Sequence, residues 1–276
     1  MFEPDAELEK IVAATEGLLA TAAGFQEAEL REASLLPGWT RGHVLTHVAR
    51  NADGGTRLLD WARTGVESYE YPSMEARAAE IEEGAGRGRA ALLADVRQSA
   101  QRFSDAYRRM PSDAWERIVR WTSGAEYPAE RAADARLCEV LVHHVDLRGA
   151  FRPSDWPADF VTDMLGRAVA AFAKRRPRPT EKAAGNRRTA ARGTWEVDDE
   201  FARRKGKAAS GYYAAGMRLH LHATDTDARY ELTPEADVPV VSGPQTELLA
   251  WLMGRTDGSA LSTEDGKPPP SPPFLY

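Results

Sequence analysis

One cysteine in the whole chain, Cys138, excludes an internal disulfide framework and with it the small secreted domains that depend on one. A reducing, cytoplasmic setting is the expectation. No stretch approaches the ~18 uninterrupted apolar residues that a membrane-spanning helix needs, so no membrane partner is expected. The opening residues Met1-Phe2-Glu3-Pro4-Asp5 lack the basic-then-apolar order of a secretory leader. Excess positive charge is missing too: 36 Lys and Arg against 42 Asp and Glu leave −6, which gives no global case for nucleic acid. What the chain does have is length and apolar mass. Its 276 residues, 42% of them apolar, suffice for one large domain or two ordinary ones.

Helical periodicity dominates the first half. Leu8, Ile11, Val12, Thr15, Leu18, Leu19 and Ala22 recur at spacings of three and four, predicting a helix from Pro4 to about Leu30. Pro37-Gly38 marks a turn, and Thr40 can cap a second helix running from Arg41 to about Thr64, ended by Gly65. Arg77 to about Gly84 is helical in composition, and a long helix follows from about Arg87 to Met110. Trp115 to Tyr127 reads as extended or irregular. A further helix spans about Ala129 to Ala150. Four long helices joined by moderate connections favour an up-and-down four-helix bundle, an architecture that can hold metals in its core.

After Phe151-Arg152-Pro153 the character changes. A helical segment, Ser154 to about Lys174, precedes a basic stretch at 174–215 containing Trp195, Phe201, Tyr212 and Tyr213, read as a solvated insertion rather than a nucleic-acid arm. Strands are expected at Met217–Ala223, Ala228–Leu232 and Val238–Ser242, then a helix from Pro244. The expected organisation is a helical domain at 1–152 and a smaller α+β domain at 153–276.

The chemistry-bearing candidates centre on Glu139 and His143. At i and i+4 they share one face of a helix and can aim an oxygen and an imidazole nitrogen at one point. His47, on another helix, would complete a His/Glu/His set, enough for a catalytic metal that keeps one position open. The competing interpretation makes Glu139 half of a buried salt bridge to an arginine, and His43 and His47 core histidines satisfied by backbone acceptors. His144 lies about 100° round the helix from His143 and is not expected to bind the same ion. Asp146, at i+3 from His143, can orient a ligand imidazole, but a solvated helix residue is the expectation. Cys138 is expected to be a small buried hydrophobe. His220 and His222 share a strand face, exposed or between domains, with no third ligand nearby.

Three stretches together carry a resemblance: Leu36-Pro37-Gly38-Trp39-Thr40-Arg41-Gly42-His43 running into His47, Glu139-x-x-x-His143-x-x-Asp146-Leu147, and Gly254-Arg255-x-Asp257-Gly258 before a proline-rich tail. They resemble the mycothiol-dependent maleylpyruvate isomerases, which belong to the DinB-like four-helix metalloenzymes. The resemblance implies Zn²⁺ or another divalent metal on His47, Glu139 and His143. It also implies mycothiol as the low-molecular-weight thiol, and substrate-facing arginines at Arg255 and Arg77. Because Arg255 falls outside the helical half, an active site between the domains is expected. The implied reaction converts maleylpyruvate to fumarylpyruvate by thiolate addition, bond rotation and elimination. The longer, more basic 174–215 region departs from the family pattern and leaves two alternatives. One is a mycothiol S-transferase acting on another electrophile; the other is a non-catalytic metal-binding protein.

Overall fold

A computed structural model describes residues 2–174 and 217–272. The basic stretch from residue 175 to 216, with the aromatic residues noted above, lies outside the described residues. Among the latter, contacts divide the chain into two compact units, Met1–Arg152 and Pro153–Tyr276.

In the first unit the long helices are α1 (Pro4–Gly24), α2 (Arg41–Thr64), α4 (Arg89–Arg108) and α5 (Arg131–Asp146), with the shorter α3 (Met74–Ala85) against α2. The four close into a ring: α1 packs on α4, α4 on α2, α2 on α5, and α5 back on α1. Consecutive α1 and α2 therefore sit on a diagonal, and the α2–α5 contact brings together segments about a hundred residues apart. The core between them includes Leu18, Val44, Leu45, Val48, Leu92, Val96 and Val140, all fully excluded from solvent. Each such side chain contributes roughly 1.5–3 kcal/mol relative to exposure.

Local chemistry sets the helix limits. Pro4 begins α1 with Asp5 and Glu7 in its first turn, where the helix dipole favours carboxylates. The helix stops at Gly24 rather than near Leu30, because Phe25 turns extended and a separate 3₁₀ turn forms at Glu29–Arg31. Thr40 caps α2 reciprocally with His43: Thr40 Oγ1 accepts from His43 N at 3.3 Å, and His43 Nδ1 accepts from Thr40 N at 3.1 Å. Gly65, in the left-handed region at φ 76°, closes that helix. Helix α3 starts earlier than its composition suggests, since Ser73 Oγ accepts from Ala76 N at 3.1 Å and so caps Met74 onward. Helix α5 ends at Asp146, short of Ala150; Arg148 at φ 53° cannot continue a helix. Arg41 secures this end by donating from Nε to Leu147 O at 2.6 Å and from Nη1 to Glu29 O at 2.8 Å.

Between α4 and α5 the extended segment is a hairpin, β1 (Ile118–Arg120) antiparallel to β2 (Glu126–Pro128), turning through Gly124 at φ 84°. Its Thr122 Oγ1 accepts from Tyr71 N at 3.0 Å, and Arg57 Nε donates to Glu70 O at 2.9 Å. These bonds tie the α2–α3 connection to its neighbours.

The second unit, described by itself, contains α6 (Ala158–Ala173) packed on α7 (Gln245–Leu252) and a four-stranded sheet in the order β4-β3-β5-β6. Strands β3 (His220–Ala223) and β4 (Ala228–Glu231) form the expected hairpin. Strand β5 (Val240–Gly243) runs parallel to β3 on its other side, and β6 (Ser262–Thr263) pairs antiparallel with β5. Helix α7 packs on β3 and β5 and buries Leu248, Leu249, Trp251 and Leu252 completely. A helical half and a smaller α+β half are thus both present.

The α2–α3 contact depends on Gly42. A Cβ built there falls well inside contact distance of the Ala85 backbone oxygen, which no side-chain rotation can relieve. Gly42→Ala should therefore destabilise the helical unit by about 1–3 kcal/mol through overpacking, even though alanine is the better helix former. Urea denaturation followed by circular dichroism checks this, and an unchanged or raised midpoint would contradict it.

Candidate metal centre

The ring order brings the face of α2 carrying His47 against the face of α5 carrying Glu139 and His143. His47 Nε2 lies 2.7 Å from Glu139 Oε2 and 3.0 Å from His143 Nε2, and His143 Nε2 lies 3.2 Å from the same carboxylate oxygen. Among the described residues this is the one group of three or more His, Cys, Asp or Glu side chains whose ligand atoms converge, all within 4.8 Å of one another. Both histidines are buried, and the Glu139 side chain keeps 20% of its surface exposed, so the point of convergence retains an approach.

Geometry and donor chemistry both fit a divalent ion. Ligand atoms about 2.0–2.2 Å from a tetrahedral centre stand roughly 3.3 Å apart, so these three need to spread by only a few tenths of an ångström. The atoms around the trio also point the right way. His143 Nδ1 donates to Asp146 Oδ2 at 2.7 Å, which turns the Nε2 lone pair inward. Asp146 is fully buried, not solvated as expected from sequence; its carboxylate is committed to the imidazole. The buried salt bridge to arginine is likewise not what Glu139 makes, because its hydrogen-bond partners are the two histidines.

Arg77 occupies the other side of His47. A guanidinium only donates, so its Nη2, 3.1 Å from His47 Nδ1, makes Nδ1 the acceptor and places the ring proton on Nε2. That proton points into the Glu139–His143 gap, where a cation would replace it. Arg77 in turn lies over the ring of buried Tyr71, 5.6 Å from its centroid, and hydrogen-bonds its hydroxyl. Trp39 packs edge-on to the His47 ring at 5.6 Å.

The electrostatics are consistent with this arrangement. Burial, then the Arg77 charge, bring the His47 pKa down to about 4, so its imidazole is neutral at ordinary pH. Burial alone would raise the Glu139 carboxyl; His47 and His143 beside it hold it well below the usual carboxylate range. Burial alone would lower His143, but hydrogen bonds with Asp146 and Glu139 raise it. Near neutral pH Glu139 is thus an anion and His47 an unprotonated base.

The remaining candidates fall elsewhere. His43 serves as the cap of α2 and contacts Glu82 through Nε2 at 3.3 Å. His144 points away to Thr21 Oγ1 at 2.7 Å and stacks on Phe151. Cys138 is buried, as expected of a small hydrophobe. His222 pairs with Asp227 of its own hairpin at 2.7 Å. Arg255, in the second unit, is buried just beyond α7 and donates from Nη1 to Met253 O at 2.6 Å. Sequence reasoning passed over Tyr71, which reaches Arg77 from a connection without periodicity, and undervalued Asp146, whose i+3 spacing was the available signal.

A bundle presenting a His/Glu/His cluster from two facing helices defines a class, the helical-bundle proteins able to hold a metal in their core. The model of the mycothiol maleylpyruvate isomerase N-terminal domain matches residues 11–148, and the model of the corresponding C-terminal domain matches residues 188–272. Two crystal structures, of a mycothiol-dependent maleylpyruvate isomerase and of a histidine-to-alanine mutant of one, align with TM-scores of 0.79 at 26% and 27% identity. Each alignment covers 99% of this chain and 98% of the other. A search of curated proteins gave no match. The chain belongs to the mycothiol maleylpyruvate isomerase family and is an enzyme of that type.

At this candidate centre protons would compete with a metal for His143 Nε2. Because its pKa is raised, metal affinity should fall as pH drops through that value, with uptake of about one proton per ion released. Asp146→Asn should weaken binding about 10–100-fold by loosening the imidazole. Competition titration against a zinc indicator across pH measures both, and a pH-independent affinity unaltered in Asp146→Asn would contradict the assignment.

Proposed function

We propose that the chain catalyses the cis–trans isomerisation of maleylpyruvate to fumarylpyruvate with mycothiol as its thiol, using a divalent ion, zinc in the first instance, held by His47, Glu139 and His143. The observation that carries this is the convergence of those three donors in a chain of this family that offers no thiol there. Cys138, the sole cysteine, is buried and sits beside Glu139 in sequence, about 100° away round the helix.

A divalent ion held by His47, Glu139 and His143 would supply Lewis acidity and favour the thiolate form of a bound thiol. Isomerisation needs the double bond relieved: addition of the thiolate at the alkene places the electron pair on the substrate's carbonyl oxygen as an enolate. Rotation about the new single bond and elimination of the thiolate then give the trans product and restore the thiol. The protein's own groups prepare for this. Asp146 fixes the His143 ring, and Glu139 contributes the anionic ligand. Were His47 Nε2 to hold the ion, the ring proton would sit on Nδ1, facing a guanidinium that also only donates. Arg77, now bonded to His47 Nδ1, would then be free to pair with a substrate carboxylate or the developing enolate. We assign Arg255 to a substrate carboxylate as well, bidentate pairing being what a planar guanidinium does best.

The test is product analysis with purified full-length protein, maleylpyruvate and mycothiol. Fumarylpyruvate should form with mycothiol unconsumed, and Glu139→Ala or His47→Ala should lower kcat/KM by more than about 100-fold. A stable thioether that accumulates stoichiometrically would favour a mycothiol S-transferase instead. Absence of any turnover by protein carrying stoichiometric metal would leave a binding protein. A Glu139→Ala protein that kept both metal and full activity would overturn the ligand assignment.

A further inference from the structure

Arg77 is half-buried on α3, and a side chain with that many rotamers swings toward solvent unless something holds it. Its bond to His47 is a conditional hold. Were an ion to take His47 Nε2, the Nδ1 atom 3.1 Å from Arg77 Nη2 would carry a proton and no longer accept. Tyr71 supplies a second hold that is indifferent to the metal. Its ring centroid lies 5.6 Å from the Arg77 guanidinium carbon, and its hydroxyl accepts a hydrogen bond from the same group. A phenol oxygen accepts from a guanidinium in either state of the centre; an imidazole nitrogen does not.

Tyr71 is itself fixed from several sides. It is 3% exposed, and its backbone N–H donates to Thr122 Oγ1, in the turn of the β1–β2 hairpin, at 3.0 Å. Arg57 of α2 donates from Nε to the preceding carbonyl, Glu70 O, at 2.9 Å and sets its guanidinium 5.9 Å from the Tyr71 ring centroid. Gly54 lets this connection lie close on α2, because a Cβ there would fall 2.7 Å from Glu70 Cγ and 3.5 Å from Tyr71 Cζ. Gly54 follows His47 by seven residues, on the same helix face, so the phenol stands about two turns along α2 from the candidate metal centre. Helix α2, the hairpin and the connection thus agree on one place for the hydroxyl, which is what a group that positions another requires.

We propose that Tyr71 is a positioning residue for Arg77: its hydroxyl keeps the guanidinium beside the candidate metal centre, ready for a substrate carboxylate, when His47 no longer accepts from it. This rests on the role proposed above for Arg77 toward the substrate. Tyr71→Phe keeps the ring beneath the guanidinium and removes only the hydroxyl bond, so it separates holding from packing.

Two measurements on the full-length, metal-reconstituted protein test it. Rotation about the Arg77 Cζ–Nε bond, followed by heteronuclear NMR of the arginine side chains, should be slow in the wild type and about tenfold faster in Tyr71→Phe, with metal content and helical circular dichroism unchanged. In steady-state kinetics Tyr71→Phe should raise KM for maleylpyruvate about tenfold, leave KM for mycothiol as it is, and add nothing further when Arg77 is already Met. Arg77 rotation as slow in Tyr71→Phe as in the wild type would overturn the proposal, and so would an unchanged KM for maleylpyruvate. A loss equally large with and without Arg77→Met, as a merely structural tyrosine would give, would also overturn it. Absence of turnover by the wild type would instead overturn the isomerase reading, and the NMR comparison would still decide whether Tyr71 holds Arg77.

Discussion

The candidate metal centre depends on the packing of α2 against α5. His47 and the Glu139/His143 pair are separated by more than ninety residues, and only the ring order of the bundle brings Nε2, Oε2 and Nε2 within 2.7–3.2 Å. The contact is built from ordinary material: Val44, Val48 and Val140 are sealed in the same apolar core as Leu18 and Leu92. Hydrophobic burial therefore holds two buried imidazoles and a carboxylate in a place where, alone, each would be costly. Arg41, bonding the end of α5 from the start of α2, fixes the register of that contact within two turns of the three donors.

The same packing explains why the charges are arranged in layers. Asp146 neutralises and aims His143 from behind, while Arg77 approaches His47 from the opposite side and is braced on Tyr71. Burial lowers both imidazoles; Asp146 and Glu139 reverse that for His143, whereas Arg77 deepens it for His47. A cluster that holds a proton between His47 and Glu139 is one in which a cation can take that proton's place. Arg136, one turn before Glu139, adds a further buried positive charge, which Glu139 and Asp53 stabilise against the cost of burial.

Much of this was legible in the sequence because it rests on periodicity and short-range spacing. The i, i+4 relation of Glu139 and His143, the Thr40 cap and Gly65 stop of α2, and the β3–β4 hairpin are local facts, and the structure has them. Spacing alone could not pair His47 with Glu139, since nothing local says which helices face one another; His47 was offered as completing the set, and the family resemblance implied it as the third donor. What escaped was set by tertiary context. Asp146 looks like a solvated residue until the end of α5 is seen to be buried. Tyr71 sits in a connection whose conformation is dictated by Arg57, which bonds Glu70 O from 13 residues away, and by Thr122, which bonds Tyr71 N from 51 residues away. Helix ends moved wherever one residue, such as Phe25 or Arg148, left helical geometry for reasons its neighbours do not announce.

The most direct measurement of the central claim is elemental analysis of the full-length protein after reconstitution and desalting, beside a His47→Ala chain treated identically. The account predicts about one divalent ion per wild-type chain and a large loss in His47→Ala, with the helical circular dichroism of the two proteins alike. A wild type that retained no metal, or a His47→Ala protein that retained a full equivalent, would contradict it.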